Sequence, residues 1–194
     1  SQLDVAQPVF QELFLLESAP KNMTKQLDAL ISSGEIICCY FGGNEIGPRA
    51  LCNRSLICAA NNEKSVVALN SIIKKREKFR PLAPVMLRSV AELWFEVNQK
   101  AIDCYRWMAL TAVAKENLPI EYEPILHFDR TARIQILDDE THPIHDFLVR
   151  NRGKIDMLVN TSFNVGGDPI VFDAFDCYVN MKRLGVHRMI TETG

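Results

Sequence analysis

No apolar run in this 194-residue chain reaches the roughly 18 residues that a membrane-spanning helix needs. The first twenty residues lack a basic segment followed by an apolar one, so no secretory signal is read there. The chain opens on Ser1 rather than Met, which fits a processed or excised piece of something longer. None of the six cysteines (Cys38, Cys39, Cys52, Cys58, Cys104 and Cys177) forms a C-x-x-C pair. That argues against a zinc ribbon or a disulfide framework, and most of these thiols sit in apolar runs. They read as small buried hydrophobes of a reducing compartment, and a cytoplasmic location is expected. His142 and His145 lie three apart with no third ligand nearby, so no metal site is expected from spacing. Internal repeats and low-complexity segments are also missing.

What is present suits a folded domain with a sizeable core: 47% hydrophobic and 24% charged residues. Net charge is only −2 but is unevenly spread. From Arg49 to Arg88 there are nine Lys/Arg against two acids, so +7, and the remainder carries −9. Such asymmetry points to a local anionic partner on an otherwise acidic chain. It argues less for nucleic acid, which favours a basic domain overall.

Apolar spacing predicts a short helix over 8–17, as a linker or docking segment within residues 1–22, and a second from about Thr24 to Ser33, ended by Gly34. Ile36–Phe41 and Ser55–Ala59 read as buried strands. Asn62 should cap a helix that delivers Lys74. Further strands are expected at 83–87, 107–114, 156–160 and 187–191. Arg133 and Gln135 should lie on a half-exposed strand, and helices should follow Ser89, His142 and Asp173. Interleaved helices and buried strands make the class α/β, with a twisted, mixed, largely parallel open sheet and flanking helices.

The run NSIIKKREKFRPLAPVML carries the chemistry. Lys74, Arg76, Lys78 and Arg80 fall on every second residue, and in an extended chain all four share a face. Pro81 and Pro84 favour the extended form. Such a row needs water or an anion, and a polyphosphate or acyl phosphate suits it. Arg49 and Arg54 lie just before a strand and either hold a phosphate or pair with acids. Downstream, NTSFNVGGDPIV is a small-residue loop at the end of a strand, where α/β sheets place ligands.

Four ordered runs, GPRALCNRS, NSIIKKREKFRPLAP, HFDRTARIQ and NTSFNVGGDPIV, resemble the C-terminal region of O-carbamoyltransferases of the nodulation-protein U and cephamycin type. In that family this region is a YrdC-like domain, here about residues 23–194. Its K-x-R and S-x-N signature is met by Lys74, Arg76, Ser162 and Asn164. The resemblance implies that ATP, with Mg2+, and carbamoyl phosphate form carbamoyl adenylate. A separate N-terminal kinase-like domain, absent here, would pass the carbamoyl group to a small-molecule hydroxyl. Lys74, Arg76, Ser162 and Asn164 would act on the phosphates and carbamoyl group. Arg80, Thr161, Arg49, Arg54 and Arg133 would help bind the nucleotide. The chain departs from the family where Cys52 and Arg130 replace customary glycines, and where Ala59, Ala60 and Asn61 stand in an A-D-P-R-like run. A threonylcarbamoyl-adenylate synthase for tRNA modification and a non-catalytic nucleotide- or RNA-binding module are the alternatives.

Overall fold

The computed structural model describes residues 20–45, 47–75 and 82–191. The helix expected over 8–17, and the residues Arg76, Lys78 and Arg80, lie outside the described residues.

Helix α1 (Pro20–Ser32) buries Leu27 and Ile31 and ends in a turn at Gly34. Gly34 has φ +83°, and a Cβ there would stand 2.5 Å from the Asn62 side chain, so only glycine fits. Strand β1 (Ile37–Tyr40) and β2 (Arg54–Ala59) follow. Asn62 caps α2 (Glu63–Val67) by accepting from the Ser65 N–H, as its position suggested. The helix then widens into a π-helical stretch, Ala68–Ile73, whose last turn carries Lys74.

Strand β3 (Ala83–Met86) leads into α3 (Arg88–Trp94) and β4 (Phe95–Glu96). Ser89 lies inside α3 and does not cap it; Leu87 occupies that place with no side-chain bond. Helix α4 (Ile102–Arg106) precedes β5 (Ala112–Ala114), so the strand expected from Trp107 begins five residues later. β6 (Thr131–Ala132) and β7 (Gln135–Ile136) belong to different sheets. The expected half-exposed strand through Arg133 and Gln135 is therefore broken, and Gln135 is buried. Helix α5 (Pro143–Arg150), β8 (Met157–Ser162), α6 (Ala174–Leu184) and β9 (Met189–Thr191) complete the chain. His142 and Asp173 cap α5 and α6.

The main sheet has the order β7-β3-β8-β2-β1-β9, and a small antiparallel sheet has the order β4-β5-β6. Of the five joins in the main sheet, β1–β9 and β3–β7 are parallel; the other three are antiparallel. The sheet is mixed and open as expected, but not largely parallel. The physical reason is that a continuous apolar run reports burial on both faces, not strand direction. Along β2, Leu56 and Cys58 face one apolar cluster while Ile57 and Ala59 face the other. Helices α1 and α5 cover the second cluster, and α2, α3, α6 and the small sheet cover the first.

Five cysteines are buried and Cys104 is exposed. Burial pushes the Cys58 thiol up to about 12. No helix among the described residues is long and apolar enough to cross a membrane.

Candidate active site

The two distant patches of the signature meet. Lys74 is 5% exposed, and its ammonium donates to the Ser162 carbonyl (2.9 Å), the Asn164 carbonyl (2.7 Å) and Asn164 Oδ1 (2.8 Å). Ser162 Oγ donates to the same Oδ1 at 2.7 Å, and Asn164 Nδ2 donates to the Asp168 carbonyl at 2.5 Å. One lysine from the π-helical turn thus holds the bend that follows β8. A widened turn shifts the register of the residues beyond it, and such turns recur at functional sites. Lys74 has φ −85° and ψ −12°, so it closes the helix and does not begin the extended row its spacing suggested. The bend itself is fixed by Asn180 of α6, whose Oδ1 accepts from the Val165 N–H.

Beside this bend lies a narrow cleft lined by Arg49, Ala50, Arg133, Asn160, Thr161 and Ser162, among others. Arg49 is exposed on the loop between β1 and β2. The carboxylate of Glu45 braces that loop, accepting from the N–H groups of Leu51 (2.5 Å), Asn53 (2.7 Å) and Arg54 (3.1 Å). Burial raises the Glu45 carboxyl above the usual range, and these three N–H groups partly oppose the rise. Arg54 behaves differently from Arg49. It is 2% exposed, donates to the carbonyls of Phe41 (2.5 Å) and Gly42 (3.3 Å), and lies 3.7 Å over the Tyr40 ring. It ties the two ends of the loop together and is not among the residues of the cleft.

In the HFDRTARIQ segment, Asp129 accepts from the N–H and hydroxyl of Thr131, and His127 Nδ1 lies 2.6 Å from that hydroxyl. These residues form a turn that leads to Arg133. Arg88 pairs with Asp138 at 2.5 Å.

Asn160 and Gln135 were not singled out as site residues. Both are buried, and Asn160 Nδ2 donates to Gln135 Oε1 at 2.6 Å and to the Ala50 carbonyl at 2.9 Å. The available signal was an amide directly following the apolar run Met157–Val159.

The Carbamoyltransferase C-terminus family model matches residues 28–193, and the chain belongs to that family. Nodulation protein NolO of Bradyrhizobium diazoefficiens is 32% identical over 151 residues, which cover 75% of this chain and 27% of that protein. The 3'-hydroxymethylcephem-O-carbamoyltransferase of Amycolatopsis lactamdurans is 31% identical over 169 residues, 85% of this chain and 31% of that enzyme. The chain spans less than a third of the length of these relatives. Among solved structures, P. abyssi Sua5 complexed with L-threonine superposes with TM-score 0.63 at 17% identity, covering 92% of this chain and 48% of that one. Full-length HypF in its phosphate- and nucleotide-bound form gives TM-score 0.63 at 20% identity, covering 87% of this chain and 20% of that one. These likenesses show the YrdC-like fold.

Proposed function

We propose that this chain is the carbamoyl-activating domain of an O-carbamoyltransferase, and that ATP and carbamoyl phosphate are its substrates. Water cleaves carbamoyl phosphate to carbamate and phosphate. A carbamate oxygen then attacks the α-phosphorus of ATP, and the Pα–O bond to the β-phosphate breaks with its electron pair leaving on pyrophosphate. The product, carbamoyl adenylate, goes to a preceding kinase-like domain that passes the carbamoyl group to an acceptor hydroxyl. Residues 1–22 would serve as the connection to that domain.

The observation that carries this reading is the joining of Lys74 to the Ser162–Asn164 bend, beside a cleft shared by Arg49 and Arg133. Adenylation builds negative charge on phosphate oxygens, and fixed cations with aimed donors are the main resource for it. No side-chain nucleophile is required. Lys74, Arg76, Ser162 and Asn164 act on the phosphates and carbamoyl group. Thr161, Arg49 and Arg133 contact the nucleotide, with Arg80; Arg54 acts as the tie of the loop. The bound nucleotide would be the Mg2+ complex, the cation offsetting phosphate charge.

The test is carbamoyl-phosphate-dependent exchange of labelled pyrophosphate into ATP. Arg49→Ala, Arg133→Ala and Ser162→Ala should each lower it by about a hundredfold while the fold persists. Exchange that persists in all three variants would refute the assignment. HypF bound to phosphate and nucleotide lends support by shared fold. The Sua5 likeness keeps the threonylcarbamoyl-adenylate alternative in play.

A further inference from the structure

Asn160 sits on β8, is 2% exposed, and lines the cleft with Arg49, Arg133, Thr161 and Ser162. Its amide cannot be turned over. The Ala50 carbonyl accepts only, so the atom 2.9 Å from it must be the NH2 group. That group also meets Gln135 Oε1 at 2.6 Å. The side-chain oxygen, Oδ1, is therefore fixed on the other side. It is buried, and among the described residues no donor reaches it. Buried acceptors are seldom left this way, and leaving one so costs stability. The cleft is small, about 50 Å3.

Asn160 lines a cleft with cations on its wall, and its buried, unmet oxygen is a neutral fixed acceptor on that lining residue. The pairing suits a ligand that is anionic at one end and an N–H donor at the other. We propose that Asn160 Oδ1 accepts a hydrogen bond from the NH2 of the carbamoyl group, and so selects a carbamoyl donor over other small acyl phosphates. This rests on the carbamoyl-activation reading. The NH2 persists in carbamoyl phosphate, carbamate and carbamoyl adenylate, so one acceptor serves throughout. Gln135 is then a positioning residue, because its Oε1 holds the amide in the orientation that presents Oδ1.

The experiment compares carbamoyl phosphate, acetyl phosphate and inorganic phosphate by calorimetry on the full chain. Acetyl phosphate carries CH3 where carbamoyl phosphate carries NH2. The unmutated chain should bind carbamoyl phosphate at least about tenfold more tightly than acetyl phosphate, because the methyl group leaves the buried acceptor unmet. Asn160→Ser should narrow the preference to about threefold or less by removing that acceptor. Independently of any variant, the Asn160 side-chain amide resonance of the unmutated chain should move on adding carbamoyl phosphate and stay still with acetyl phosphate. Equal affinity for the two acyl phosphates, with both bound, would overturn the inference and leave the carbamoyl-activation reading standing on its exchange assay. So would a resonance that moves with neither, or a folded Asn160→Ser chain that keeps the preference. Failure of all three phosphates to bind would remove the reading and this inference together.

Discussion

Four non-glycine residues among the described ones carry backbone conformations that L side chains seldom adopt, and two of them, Cys52 and Arg130, stand where the family resemblance places glycine. Cys52 has φ +85° and Arg130 has φ +60°. A side chain in that region costs roughly 1–2 kcal/mol, of which glycine's extra chain entropy would return about half. The two sites differ in what the side chain gives back. Arg130 is exposed and pairs with Glu123 at 2.8 Å, a surface contact of small worth. Arg130→Gly should therefore raise stability by about 0.5 kcal/mol, a rise in Tm of about 1–2 °C. Cys52 is fully buried against Gln135 and Asn160, so Cys52→Gly trades relief of strain for a void and should give no gain. Chemical denaturation of the two variants side by side checks the contrast. Equal stabilisation would mean that the buried thiol packs nothing.

At the scale of elements, the loop between β1 and β2 depends on one carboxylate. Glu45→Gln keeps one acceptor oxygen but turns an NH2 group toward one of the three N–H groups now bound. Its expected cost is about 1–3 kcal/mol at neutral pH, with weakened binding wherever Arg49 contributes. The pH response carries a sign. Burial raises the folded-state value of Glu45, so the folded chain holds this proton more tightly than the unfolded chain. Stability from this group is greatest below the ordinary carboxylate value and is lost as pH rises through the raised one. The stability gap between the unmutated chain and Glu45→Gln should narrow as pH rises across that window; parallel curves would show that Glu45 does not titrate there. This brace was not legible in the sequence, because Glu45 reads as one more acid in a polar loop. What was legible had local causes. Asn62, His142 and Asp173 announce helix starts through short-range bonds, and apolar runs announce β1, β2 and β8. The meeting of Lys74 with Ser162 and Asn164 came from the motif pair, not from periodicity. Strand direction, the break between β6 and β7, and the buried Gln135–Asn160 pair depend on contacts between residues far apart in the chain. No window of sequence carries them.

For the molecule as a whole, the basic segment from Arg49 to Arg88 separates the functional readings. As a solvated patch it would favour RNA. Of its nine cations, Arg54 is engaged internally with loop carbonyls and Lys74 with the Ser162–Asn164 bend, and Arg88 pairs with Asp138 at the surface. Each such engagement lowers the charge free to release counterions from a nucleic acid, while Arg49, Lys64 and Lys75 remain exposed. A single assay series sets the readings against one another. The chain is incubated with ATP and labelled pyrophosphate, first with carbamoyl phosphate, then with bicarbonate and threonine, and RNA binding is measured separately against salt. The proposed function expects exchange with carbamoyl phosphate alone and feeble RNA binding. A threonylcarbamoyl-adenylate synthase reverses the donor preference. A non-catalytic module gives no exchange with either donor, and a steep fall of RNA affinity with salt would identify its ligand. The chain covers less than a third of its relatives' length, so the series is also run on the full-length cephem O-carbamoyltransferase of Amycolatopsis lactamdurans as a comparison.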